Sequence, residues 1–330
     1  MGAPKLLLLG ASGYIGGHAL GLLISKHPEY EITALVRNQS QAEAVSTRWN
    51  TVKTVIGDLD SQETLVRESG KADVVLNLAN ADHAGAVRSI LQGLKGTSGR
   101  LIHTSGTAIL HDVPNNYGEP SSKIFHDIDD IKDILSLDQS QPHRDIDIAV
   151  IDGGKEHGVS TLIVAPPTIY GEGAGPVKRR STQIPLLLHA WLKRGNAFMV
   201  GKGANFWGNV HVDDLAEAYV LLTEEALKPN GGNATWGPEG YYFVENGEHT
   251  WGEVISAVAE SAHQRGLVSS SKVDQVSKDE AEGLQPFGSI LWGGNSRCRA
   301  QRLPALGWKP SAPSIFDTID STVAATERAG

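Results

Sequence analysis

One cysteine, Cys298, in 330 residues leaves no partner for an intrachain disulfide and too few thiolates for a cysteine-built zinc site. That scarcity of thiols suits a reducing compartment, and no metal centre is expected. Long apolar runs are missing too: none nears the roughly 18 residues a helix needs to cross a bilayer. The leucines from Leu6 to Leu9 stop at Gly10, short of the roughly 7-residue core of a secretory signal. Leu6 also stands where N-myristoylation requires Ser or Thr. A cytoplasmic protein with no membrane partner is expected. Positive charge is in deficit, with 29 Lys and Arg against 38 Asp and Glu and a net charge of -9. Such a surface repels polyanions, so nucleic acid is not an expected partner. Internal repeats and low-complexity tracts are absent. What remains is 40% apolar and 20% charged, the composition of a folded chain with one large domain or a large domain carrying a smaller one.

The most informative stretch comes first. Lys5 to Leu9 reads as a short buried strand, followed by Gly10-Ala11-Ser12-Gly13-Tyr14-Ile15-Gly16 and then by a helical period through Ala19, Leu20, Leu22, Leu23 and Ile24. Strand, G-x-x-G-x-x-G turn and helix together point to a dinucleotide cradle rather than a tight turn without a ligand. Gly10 makes the tight turn, Gly13 leaves bare backbone beside a pyrophosphate, and Gly16 lets the helix close on the strand. Ser12, Tyr14 and Ile15 belong to the same loop, whose helix-start N–H groups face the anion.

Further strands are expected at Glu31 to Val36, Val52 to Ile56 and Asp73 to Leu78. The second strand ends at Arg37, where an NAD site carries an acidic residue for the ribose hydroxyls; a cation there favours the 2′-phosphate of NADP. Asp58, followed by Leu59, either accepts from the adenine amine or caps the next helix. Leu78, Ala79 and Asn80 fall at the carboxyl edge of a parallel sheet, where open α/β folds bind ligands.

These features, together with His103-Thr104-Ser105-Gly106-Thr107, Pro166-Pro167-Thr168-Ile169-Tyr170-Gly171, Val210-His211-Val212-Asp213-Asp214-Leu215-Ala216 and Leu306-Gly307-Trp308-Lys309-Pro310, resemble the extended short-chain dehydrogenase/reductases, of the NAD-dependent epimerase/dehydratase type, over nearly the whole chain. The resemblance implies an α/β protein: a Rossmann doubly wound parallel sheet with a smaller mixed C-terminal substrate-binding subdomain. The core is expected over residues 1-172 with a return near 205-225, and the subdomain mainly over 173-330. Thr104, Pro167 and Thr168 take cofactor-binding positions by the same likeness. It also implies a homodimer formed through helices beside the cofactor domain.

The family's Tyr-x-x-x-Lys pair is missing. Gln141 to Asp152 contains neither residue, and Gly106 stands at the usual serine, between Ser105 and Thr107. Ser105 and Thr107 remain candidates to polarise a substrate oxygen, and Tyr170 is either its proton donor or a packed aromatic. His143 and Asp147, four apart, share a helical face near the missing pair and form either an acid–base couple or a decorated helix start. Lys178-Arg179-Arg180 either meets an anionic substrate or cofactor phosphate, or forms a solvated turn. Residues 266 to 285, polar and irregular, suggest a mobile loop over the pocket. The expected activity is an NADP-dependent oxidoreduction of a small carbonyl or hydroxyl compound. An epimerase, dehydratase or isomerase on the same fold, or a noncatalytic NADP sensor, is the alternative.

Overall fold

Short apolar runs alternating with helical periods fold into a seven-stranded parallel sheet in the computed structural model, which describes residues 2–328. Its strands are β1 (Lys5–Leu9), β2 (Glu31–Val36), β3 (Lys53–Ile56), β4 (Val74–Asn77), β5 (Arg100–Thr104), β6 (Ser160–Ala165) and β7 (Tyr241–Phe243). Their order is β3-β2-β1-β4-β5-β6-β7, and every neighbouring pair is parallel. β1 lies between β2 and β4, so the winding direction switches beside the glycine turn, where a crevice must open.

The two-residue period of β1 assigns its leucines to both faces of the sheet. Leu6 and Leu8 join a core with Leu20 and Leu23 of α1 (Tyr14–Lys26) and Leu215, Tyr219 and Leu222 of α7 (Val212–Leu227). Leu7 and Leu9 join one with Leu65 of α3 (Gln62–Ser69), Ile90 and Leu91 of α4 (Ala84–Leu94) and Val150 of α5 (Arg144–His157). All four β1 leucines are buried, and each such side chain contributes roughly 2 kcal/mol of apolar transfer. The remaining long helices are α2 (Gln39–Arg48), α6 (Gln183–Arg194) and α8 (Trp251–Gln264). Among the described residues no helix is long and apolar enough to cross a membrane.

A third core builds the smaller lobe from Leu187 and Trp191 of α6, Phe198, Trp251 and Val254 of α8, and Trp292. The chain does not partition cleanly. β7 returns to the main sheet beyond the expected 205-225 segment, and Trp308 packs into the core beneath α1 and α7. Residues 266 to 285 also depart from expectation. Asp274–Val276 pairs in parallel with Phe198–Val200, and Lys278–Leu284 forms a helix capped by the Ser277 hydroxyl. Val276 and Ala281 are buried, so two small apolar contacts override a polar composition.

Candidate active site

Bare backbone shapes the site. Gly10 adopts φ +92°, and a Cβ there would lie 2.5 Å from the Leu78 carbonyl oxygen. Gly13 donates its N–H to the Gly10 carbonyl at 2.8 Å and serves as the N-cap of α1 without any capping side chain. The first-turn amides of that helix are therefore left to an anion. A Cβ on Gly16 would collide with the Gly10 carbonyl, so this glycine sets how closely α1 approaches β1.

Beside this turn opens a cleft of about 430 Å³. Gly10, Ser12, Gly13, Tyr14 and Ile15 line it from the glycine loop, and Leu78, Ala79 and Asn80 from the loop after β4. Arg37, Asp58 and Leu59 line its other end, joined by Leu35, Gln41 and Gly57. The backbone N–H of Arg37 donates to Gln41 Oε1 at 3.1 Å, while its guanidinium forms no ion pair among the described residues. Asp58 lines the cleft, and its Oδ1 accepts from Ser61 Oγ at 2.7 Å and the Asp60 N–H at 3.1 Å. The Ser61 hydrogen bond holds this carboxyl below its ordinary value.

A strap from Gly171 to Arg180 crosses the glycine loop. Tyr14 donates its hydroxyl to the Gly171 carbonyl at 2.7 Å, and Lys178 donates its backbone N–H to the Ser12 carbonyl at 3.1 Å. His18 Nδ1 accepts the Ala174 N–H at 3.0 Å. Backbone meets backbone at Gly175, where a Cβ would collide with the Gly13 carbonyl. Of the three consecutive cations only Lys178 lines the cleft; Arg179 pairs with Glu172 at 3.1 Å, and Arg180 donates to the Ala325 carbonyl.

The expected catalytic residues are dispersed. Ser105 is buried beside Asp147 of α5, whose Oδ2 accepts the Tyr241 hydroxyl at 3.0 Å. Burial raises the Asp147 carboxyl to about 6 against the Tyr241 hydrogen bond. Thr107 is buried with an unpartnered hydroxyl, and its carbonyl accepts from Ser296 Oγ at 2.6 Å. Tyr170 is 1% exposed, packs in the smaller lobe's core and donates its hydroxyl to the Pro313 carbonyl at 2.9 Å. That geometry commits its proton away from the cleft. Thr104, Pro167 and Thr168 do not line the cleft either. Thr104 Oγ1 hydrogen-bonds the Tyr219 hydroxyl at 2.6 Å, a Cβ on Gly208 would lie 3.3 Å from Pro167, and the buried Thr168 hydroxyl has no partner.

His143 does not pair with Asp147. Its Nδ1 lies 2.6 Å from Oδ1 of Asp82, two residues beyond the cleft-lining Asn80. No periodicity links positions 82 and 143, so only the sheet brings them together. Among the described residues no group of three or more His, Cys, Asp or Glu side chains is placed to hold a metal ion.

The chain is 36% identical over 335 residues to oxidase ucsJ of Acremonium sp, covering 97% of this chain and 96% of that protein. Its fold is shared with the dTDP-glucose 4,6-dehydratase DesIV of Streptomyces venezuelae (TM-score 0.67, 20% identity, 99% of this chain and 97% of that one). It is shared equally with the UDP-glucuronic acid 4-epimerase of Bacillus cereus (TM-score 0.66, 15% identity, 99% of this chain and 100% of that one). The family model described as NAD dependent epimerase/dehydratase matches residues 6–234, which span the glycine cradle, the strap and six of the seven strands. The chain therefore belongs to the NAD dependent epimerase/dehydratase family.

Proposed function

We propose that the protein is an NADP-dependent oxidoreductase acting on a small carbonyl or hydroxyl compound. The observation that carries this reading is the cleft itself: side-chain-free amides at a helix start, with the cations Arg37 and Lys178 among its lining residues. When bound there, the nicotinamide dinucleotide supplies hydride chemistry. The chain's part is to bind and orient. The amides around Gly13 hold the diphosphate, with Lys178 adding charge from the strap. Arg37, which pairs with no carboxylate among the described residues, takes the 2′-phosphate, and Asp58 stays ionised at the nucleoside end. The relative described as an oxidase, and the solved neighbours that carry NAD, support a nicotinamide cofactor.

The test has two parts. Fluorescence titration of the purified protein is expected to show NADPH binding more tightly than NADH. Arg37→Asp is expected to weaken NADPH about tenfold or more, the worth of a charge-assisted contact, and NADH much less. Equal loss for both sinks the 2′-phosphate assignment. Incubation with aldehydes, ketones and quinones then separates the chemistries. NADPH consumption supports the oxidoreductase. Product without net consumption supports an epimerase or dehydratase, the activities named for the solved neighbours. Tight NADPH binding with no reaction supports a sensor.

A further inference from the structure

We propose that His143, oriented by Asp82, is the residue that exchanges a proton with the substrate oxygen in this site. The inference rests on the nicotinamide reading above and deepens it, replacing the tyrosine and lysine that the chain lacks.

Position is the first argument. Asp82 sits on the loop after β4, the same loop whose Asn80 lines the cleft, and its carboxylate holds His143 Nδ1 at 2.6 Å. The hydrogen bond to His143 keeps Asp82 below its ordinary value, so it is an acceptor only. Nδ1 therefore keeps its proton, and Nε2 is the nitrogen free to exchange one. Nε2 has no hydrogen-bond partner among the described residues, and the His143 side chain is 24% exposed. The ring points at Gly106, just past the carboxyl end of β5, where a Cβ would lie 3.2 Å from Nε2. Glycine and imidazole fit as a pair: a Cβ at 106 would press on the ring and shift it by a few tenths of an ångström.

The backbone is the second argument. His143 adopts φ 68°, the left-handed region, although it is not glycine. It is the N-cap of α5 yet gives that helix no side-chain cap. A non-glycine residue in this region costs on the order of 1 kcal/mol or more, and such strain collects where a side chain must be aimed. Here the ring is aimed across to Asp82.

Electrostatics agree. Burial opposes the imidazolium, but the Asp82 hydrogen bond and the charges of Asp82, Asp147 and Asp145 outweigh it, and the pKa rises. His103, the other nearby imidazole, is fully buried, lowered by desolvation to about 4 and stays neutral. It hydrogen-bonds Asn77 at 3.0 Å and is no competing donor.

The step balances. In reduction, a hydride with its electron pair, supplied by NADPH, forms the new C–H bond as the carbonyl π bond breaks. The freed pair on oxygen takes the Nε2 proton, which leaves neutral imidazole still donating Nδ1–H to Asp82. In oxidation, neutral Nε2 takes the hydroxyl proton as carbon gives up its hydride to the oxidised nicotinamide dinucleotide. His143 is the catalytic residue and Asp82 its positioning residue.

Three variants test this: His143→Gln, His143→Asn and Asp82→Asn. In protein labelled with ¹³C at histidine Cε1, the His143 signal, identified by its loss in His143→Gln, should titrate above the ordinary histidine range. Asp82→Asn should lower that midpoint by about one pH unit, the usual effect of an opposite charge at contact distance. A midpoint unmoved by Asp82→Asn overturns the proposal without any substrate being needed. Both His143 variants should keep NADPH affinity within about twofold while losing about 100-fold or more in NADPH oxidation with whichever panel carbonyl the wild type reduces, the scale of general acid catalysis. In the wild type that rate should fall as pH rises through the His143 midpoint. Unchanged turnover in both His143 variants with NADPH bound overturns the proposal alone. Failure of the wild type to bind NADPH overturns the cofactor reading and the proposal with it.

Discussion

At the residue scale, the buried carboxyl of Asp147 sets a pH dependence. It is 0% exposed, Oδ1 has no partner among the described residues, and burial lifts its pKa from 3.8 to about 6 although Oδ2 accepts the Tyr241 hydroxyl. Below about pH 4 the folded and unfolded chains both carry the proton, and the group is neutral to stability. Between pH 4 and 6 the folded chain keeps a proton that the unfolded chain has lost, so stability falls as pH rises. Above pH 6 the full penalty stands, about 3 kcal/mol at 1.36 kcal/mol per pKa unit. Asn at this position mimics the protonated acid. Asp147→Asn should therefore gain up to about 3 kcal/mol over wild type at pH 8 and little at pH 4. Urea denaturation at the two pH values checks this, and an offset equal at both would refute it.

At the element scale, the strap and the glycine loop act as one unit. Gly175 meets the Gly13 carbonyl, a Cβ on Gly17 would meet the Gly175 Cα at 2.5 Å, and Lys178 reaches the cleft only because this contact is backbone on backbone. A methyl at 175 must lift the strap away from the glycine loop. Gly175→Ala is expected to raise the NADPH dissociation constant about tenfold while the circular dichroism spectrum stays unchanged, a loss of about 1.4 kcal/mol in binding. Gly158→Ala is the control. That glycine is left-handed, with φ +67°, and has open space around it, so alanine there should cost stability and leave binding alone. Equal effects of the two substitutions on the NADPH titration would refute the strap's role.

At the scale of the whole molecule, the lobes are tied by the chain's last segment. Trp308 is buried against the α1–α7 face and donates its indole N–H to the Asp214 carbonyl at 2.9 Å. The Asp214 carboxylate in turn accepts the Ser311 N–H at 2.9 Å. The tail that follows continues to Ile315 and Ile319 in the smaller lobe's core. Both lobes thus lose their tie when this tryptophan is truncated. Trp308→Ala should cost about 3–5 kcal/mol, the usual range for a buried tryptophan, within one cooperative transition. Calorimetry showing a second, unshifted transition would mean that the lobes unfold independently.

Much of this was legible in the chain. Local rules suffice wherever a few consecutive residues carry the constraint. The leucines of β1 alternate faces because a strand has a period of two. Gly10, Gly13 and Gly16 mark the cradle because each needs bare backbone within one turn. Arg37, Asp58 and Asn80 line the cleft because parallel strands end on one edge. What tertiary structure alone decided is where side chains point once distant segments meet. Ser105 lies beside Asp147, and Tyr170 donates its hydroxyl to the Pro313 carbonyl, because those partners lie far away in sequence or across the sheet. His143 found Asp82 rather than Asp147, since 61 residues separate a pair that helical spacing cannot reveal. A hydrogen bond satisfied by a remote partner leaves no periodic trace, so the glycine turn was readable from sequence and the His143–Asp82 contact was not.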